Sequence, residues 1–286
     1  MPYGNPHSLV STEWLAGQLG RPDLGVVDAT YFLPMQGRNA RAEYELRHIP
    51  GAVFFDIDAI ADWTSPLPHM LPTAAAFAAA VGDLGIGNDS RIVVYDAHGM
   101  MSAARAWWTF RVFGHQAVAL LDGGLPKWLA EGRPIEAGAA RPAPRAFVAR
   151  LDPSQVRDKA AIRANITAKR EQVVDARAAG RFAGTEPEVW PGRRPGHIPG
   201  SLNLPFTDLL EAQSRTFLPP EAIAARFRAA GTDLGRPVVA SCGSGVTAAV
   251  LAFGLHLIGH RKVALYDGSW AEWGMRADLP IGHGPA

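Results

Sequence analysis

One short stretch holds the residues whose types and order suit covalent chemistry: Ser241-Cys242-Gly243-Ser244-Gly245-Val246-Thr247-Ala248. It follows the apolar run Val238-Val239-Ala240 and leads into an apolar helical stretch that reaches Ile258. A loop between the carboxyl end of a parallel strand and a helix N-terminus is where α/β sheets bind ligands. Gly243 and Gly245 let the backbone curl tightly and turn successive N–H groups inward. With the positive end of the helix dipole beside them, these groups stabilise a thiolate at position 242. A lone cysteine is commonly an inert small hydrophobe, but its place in this loop argues for a nucleophile. Cys242 is the only cysteine, which excludes an internal disulfide framework and any multi-cysteine metal site. A cysteine phosphatase needs an arginine six positions after its nucleophile, and that position here is Ala248. Phosphoryl transfer is therefore disfavoured.

The elements that must position this loop occur twice. Val93 to Trp128 and Val238 to Trp273 match at a constant offset of 145 residues without a gap. Val-Val opens both segments, Gly-His recurs at 114–115 and 259–260, and Val-Ala-Leu-x-Asp-Gly recurs at 118–123 and 263–268. Upstream, Val-Val-Asp-Ala recurs at 26–29 and 173–176, and His-Ile-Pro-Gly at 48–51 and 197–200. Two homologous domains follow, residues 1–140 and 153–286, joined by a linker, 141–152, that its prolines make semi-stiff. Within each, β-branched runs read as buried parallel strands: Val26-Val27, Arg91–Tyr95 and Val118–Leu121, then Val173-Val174, Pro237–Ala240 and Val263–Tyr266. They alternate with helical stretches at 73–84, 102–113, 220–230 and 246–258. The predicted fold class is α/β, two tandem domains, each a mostly parallel sheet flanked by helices. In the repeat, Cys242, Gly243, Ser244 and Gly245 stand opposite Ala97, His98, Gly99 and Met100. The first domain thus lacks the nucleophile and is expected to be a scaffold that lines the site from across the interface.

Composition removes other classes. The 286 residues are 48% apolar and 19% charged, which gives ample core material and no case for disorder. The 28 basic residues nearly balance 27 acidic ones, for a net charge of +1, so no polyanion-binding surface and no nucleic-acid partner is expected. Trp107 and Trp108 read as core and interface anchors, since no basic stripe accompanies them. His256 and His260 have the spacing of a metal pair, but no acidic residue joins them in the helix, so no metal is expected. Asp28 and Asp175 end strands and should hold neighbouring backbone, and the His-Ile-Pro-Gly motifs should turn into a strand. No apolar stretch is long enough to span a bilayer, and residues 1–7 lack the basic and apolar regions of a secretory signal. A cytoplasmic protein without membrane partner or nucleotide cofactor is the expectation.

These features together resemble the rhodanese superfamily, and within it the branch that takes sulfur from 3-mercaptopyruvate. Besides the Cys-Gly-Ser-Gly-Val-Thr loop, the resemblance rests on 48–58, Thr64-Ser65-Pro66, His69-Met70-Leu71-Pro72, Leu121–Gly124, Gly180-Arg181-Phe182, Gly184–Glu188 and 196–200. It covers almost the whole chain. It implies a double displacement: Cys242 takes the donor's sulfur as a persulfide, pyruvate leaves as its enolate, and an acceptor removes the outer sulfur. Gly243, Gly245, Val246 and Thr247 would line the substrate and stabilise the persulfide through the loop. Ser244, His69 and Asp58 match a proposed Ser-His-Asp relay, and Arg181 matches an arginine that holds the substrate carboxylate. Where the family has a second substrate arginine, this chain has Trp190, with Arg193 and Arg194 a few residues on as replacements. Acceptors of the kind implied are reduced thioredoxin, small thiols and cyanide. Thiosulfate-type relatives carry a basic pair where this chain has Gly243-Ser244, and a neutral loop suits a monoanionic donor better than dianionic thiosulfate. A thiosulfate:cyanide sulfurtransferase and a non-enzymatic sulfur-carrier or binding module are the alternatives.

Overall fold

In the computed structural model, which describes residues 2–285, the apolar runs of each half assemble into a five-stranded, wholly parallel sheet. In the first half the strands are β1 (Leu9–Val10), β2 (Leu24–Asp28), β3 (Ala52–Phe54), β4 (Arg91–Tyr95) and β5 (Val118–Leu121). In the second they are β6 (Val156–Arg157), β7 (Gln172–Asp175), β8 (Leu202–Asn203), β9 (Val238–Ser241) and β10 (Val263–Tyr266). The orders, β1-β5-β4-β2-β3 and β6-β10-β9-β7-β8, are the same topology twice. Central strands β4, β5 and β9 are apolar and almost wholly buried because helices cover both sheet faces. The expected strands all form. The edge strands β1 and β6, two residues each, carry no readable period and emerge only from their pairing with β5 and β10.

The four expected long helices span Ala74–Asp83, Ala103–Val112, Pro220–Ala229 and Ala248–Leu257. The last is buried at every position except His256, as its all-round apolar sequence demands. It packs on Ala103–Val112, its counterpart in the repeat, with Trp107 edge-on to Phe253 at 4.7 Å between ring centroids. Arg111 lies over Trp107, and His256 sits 5.1 Å from the same ring, so matched positions of the two helices meet across the seam. His256 Nε2 lies 2.9 Å from the Ser8 hydroxyl. One apolar cluster runs through both halves, from Val27 and Phe77 to Phe253 and Leu265.

Both His-Ile-Pro-Gly motifs turn into β3 and β8 through a left-handed glycine, Gly51 at φ +74° and Gly200 at +77°. Their histidines donate Nδ1–H to the carbonyls of Tyr44 (2.8 Å) and Phe182 (3.0 Å). Asp28 accepts from Thr30 N–H and Asp175 from Arg177 N–H, each at 2.9 Å, so both strand-end carboxylates hold backbone. The segment 137–152 is strapped to the first domain: Gly138 N–H donates to Glu45, Arg145 N–H to Gly82, and Arg150 N–H to Phe113. Phe147 is buried edge-on to Phe77.

Candidate active site

Strand β9 ends at Ser241, and Cys242 begins the loop at 1% exposure. Its own N–H is taken by the Ser269 hydroxyl (3.2 Å), which donates onward to the Tyr266 carbonyl (2.7 Å). The carbonyls of Cys242 and Gly243 accept from Trp270 and Ala271 N–H, pinning the loop to the short helix Ser269–Trp273. In contrast, the N–H groups of Gly243, Ser244, Gly245, Val246 and Thr247 make no hydrogen bond among the described residues. Buried amides rarely stay unpaired. Five in succession, ahead of a helix N-terminus, form a cradle for negative charge. Gly245 has φ +79°, and a Cβ there would stand 2.8 Å from Arg105 Nη1 and 2.9 Å from the Asp267 carbonyl, so both conformation and space require glycine.

The first domain brings its residues to this loop. His69 Nδ1 lies 3.0 Å from Ser244 Oγ, across the domain seam. Asp58 Oδ1 lies 3.0 Å from His69 Nε2 but off the line of a hydrogen bond. His69 is fully enclosed at its side chain, whereas Asp58 is 66% exposed. The structure therefore brings together Ser244, His69 and Asp58.

Arg181 lies in the helix Ala179–Ala183. An ideal Cβ at position 243 would be 3.2 Å from Arg181 Nη2 and 3.7 Å from the Trp190 indole nitrogen. Gly243 thus leaves the space between the thiol loop and these two donors open. Trp190 Nε1 has no hydrogen-bond partner among the described residues, and its ring meets His69 edge-on at 5.8 Å. Arg193 and Arg194, offered by the sequence as replacements for a second arginine, are engaged elsewhere. Arg193 donates to the carbonyls of Ala271 and Pro191. Arg194 donates to those of Gly274, Arg276 and Leu279. Arg193 thus ties the glycine- and proline-rich loop to the helix Ser269–Trp273 and Arg194 ties it to the segment after that helix, where the last carbonyls of a short helix lack intrahelical donors.

Other partners escaped the sequence reading. Glu188, its side chain 2% exposed, bridges Arg181 (2.6 Å) and the wholly buried Arg177 (2.6 Å), which also pairs with Asp175. The two cations beside the site are thus matched by two carboxylates. Arg105 and Asp267 form a buried pair behind His69. A charge at 105 within an apolar helix, opposite Val250 in the repeat, was the available signal for it. No group of His, Cys, Asp and Glu able to hold a metal occurs among the described residues.

Two tandem parallel α/β domains with a thiol cradle in the second define a class. The model of the rhodanese-like domain matches residues 11–131 and again 158–276, and the chain belongs to that family. The 3-mercaptopyruvate sulfurtransferase of Homo sapiens is 51% identical over 276 residues, covering 94% of this chain and 93% of the relative. A thiosulfate sulfurtransferase of Cricetulus griseus is 47% identical over 274 residues, with 93% and 91% covered. The crystal structure of SseA from Escherichia coli, described as having the rhodanese fold of 3-mercaptopyruvate sulfotransferases, superimposes with a TM-score of 0.85 at 40% identity. That match covers 92% of this chain and 98% of SseA.

Proposed function

We propose that this chain is a sulfurtransferase that draws sulfur from 3-mercaptopyruvate onto Cys242, releases pyruvate, and passes the sulfur to a thiol acceptor or cyanide. Identities of 51% and 47% to relatives named for different donors do not by themselves choose the donor. The observation that carries the choice is the 3.0 Å contact between Ser244 Oγ and His69 Nδ1. The Cys242 thiolate attacks the donor sulfur, the carbon–sulfur bond breaks, and its electron pair leaves on the pyruvate enolate. The S–H proton of the donor must leave sulfur, and the enolate carbon must gain one. Ser244 and His69 form a path for that proton, with Asp58 beside the ring to balance its charge. Thiosulfate carries no S–H, so such a relay has no task with it. The pairing of Arg181 with Glu188 agrees, because a neutralised cation suits one carboxylate better than a dianion. Arg181 and the Trp190 N–H face the donor, and the free N–H groups of 243–247 hold the persulfide anion. An acceptor thiol, such as that of reduced thioredoxin, then attacks the outer sulfur and restores the Cys242 thiolate.

A steady-state comparison of donors tests this. Mercaptopyruvate should exceed thiosulfate in kcat/KM by at least about tenfold, roughly 1.4 kcal/mol. Donor treatment without acceptor should raise the intact mass by one sulfur atom, and Cys242→Ser should abolish both adduct and turnover. A preference for thiosulfate overturns the donor; turnover by Cys242→Ser overturns the persulfide.

A further inference from the structure

His69 rides on a loop of the first domain yet must hold its position against a loop of the second. Its backbone is left-handed, φ +60°, a conformation few non-glycine residues adopt. One buried ion pair grips the chain at His69 and two residues after it. Arg105, in the helix Ala103–Val112, and Asp267, after β10, are 3% and 5% exposed at their side chains and 2.7 Å apart. Arg105 Nη2 donates to Asp267 Oδ1 and also to the His69 carbonyl. Arg105 Nη1 stands 3.5 Å from the carbonyl of Gly245 in the thiol loop. Asp267 Oδ2 accepts the Leu71 N–H at 2.8 Å, and the guanidinium lies 4.6 Å from the centre of the Trp108 ring.

The repeat separates what each partner contributes. Asp122 is the counterpart of Asp267, and it too reaches across the seam, accepting the Phe217 N–H at 2.9 Å. Two residues before Phe217 lies Arg215, left-handed at φ +58°, just as His69 lies two before Leu71. Arg215 sits against Gly99, the counterpart of Ser244. An aspartate alone therefore suffices to dock such a left-handed turn. The counterpart of Arg105 is Val250, and among the described residues no guanidinium donates a hydrogen bond to the Arg215 carbonyl or to the loop facing it. The arginine occurs only on the side that has the nucleophile.

We propose that Arg105 is a positioning residue for the proton relay, fixing the His69 carbonyl relative to Gly245 and so setting the imidazole on Ser244. The proposal rests on the reading of Ser244 and His69 as that relay. A planar guanidinium can hold three acceptors in fixed directions at once; an ammonium keeps the charge and loses the directions. Arg105→Lys should lower kcat/KM for mercaptopyruvate about 10- to 100-fold, the scale of an ångström-sized misplacement. In a His69→Ala background the same change should cost less than about threefold, a non-additivity that a merely structural role does not produce. Asp267→Asn keeps an acceptor for Leu71 and loses the charge that orients Arg105. It should give the same pattern, and carries the test if Arg105→Lys is recovered unfolded. Equal losses in both backgrounds, or no loss in either, overturn the proposal while the relay stands. A His69→Ala enzyme as active as the wild type overturns the relay, and the role of Arg105 with it.

Discussion

The loops 96–102 and 241–247 descend from one ancestor and end in opposite states. In the first domain Asp96, fully buried, occupies the position of Ser241, and its carboxylate accepts the N–H groups of His98 (2.8 Å), Met101 (2.7 Å) and Ala103 (2.8 Å). The curl of backbone that could bind an anion has been given one of its own. In the second domain the Ser241 hydroxyl is buried without a partner, and the amides of 243–247 are free, among the described residues. On the proposed mechanism, catalytic capacity depends on leaving these amides unpaired by the protein's own side chains as much as on supplying a thiol. Scaffold and active site differ by which anion fills the same turn of chain.

The largest effect should come from making the catalytic loop resemble the scaffold. Ser241→Asp places a fixed carboxylate among the amides proposed to receive the persulfide. It should lower kcat/KM about 10²- to 10³-fold, the usual scale for losing preorganised stabilisation of an anion. Its melting temperature should be unchanged or higher, as a thermal melt beside the kinetics would reveal. Full activity in this variant would mean that the sulfur is held by something other than the loop amides.

The reverse change sharpens the same contrast through stability. Asp96→Ala removes the acceptor of three amides and should lower the unfolding free energy by about 2–4 kcal/mol, read from urea titrations. Persulfide formation per folded molecule should stay at the wild-type level. A stability within experimental error of wild type would show that the first-domain amides had other partners.

A smaller effect probes the seam, where Arg111 and His256 hold matched positions of the repeat. Burial, with Arg111 nearby, holds the His256 pKa down to about 4, from an ordinary 6.5. Between those values the unfolded chain binds a proton that the folded chain refuses, so this group lowers stability as pH falls through the window. His256→Gln removes the effect. Relative to wild type, its stability should improve by about 1–2 kcal/mol on going from pH 6.5 to 4, measured by urea unfolding across pH. Asp28 and Asp122, both raised to about 6 by burial, act in the opposite sense and cancel in the difference. A flat difference curve would place His256 in contact with water.

Much of this was legible in the residues. Periodicity and the repeat foretold both sheets, because strands buried on two faces must be apolar throughout. The loop around Cys242 was legible because glycine spacing and the helix after it are local features. That Ser244 and His69 meet came from resemblance alone, since 175 residues separate them. What stayed hidden depends on pairing at a distance. Arg181 reads as an unpaired cation until Glu188 folds beneath it, and Arg193 and Arg194 read as replacements for a second substrate arginine until backbone carbonyls of Pro191 and Ala271, and of Gly274, Arg276 and Leu279, take them. Asp96 looks like any strand-end acid, and only the hydrogen bonds it collects show what it replaces.

The apolar cluster that passes from Phe77 and Trp107 into Phe253 and Leu265 also bears on how the molecule comes apart. Halves joined only by a linker would melt independently, each at its own temperature. Here neither half can open without exposing the seam that buries the other, so heat and denaturant should meet a single cooperative unit. A gene fragment encoding residues 153–286 would keep the thiol yet present the bare apolar face of the helix Ala248–Leu257 to water. The copy without a nucleophile is therefore indispensable twice over: it covers the apolar face of the other half and carries His69 to Ser244.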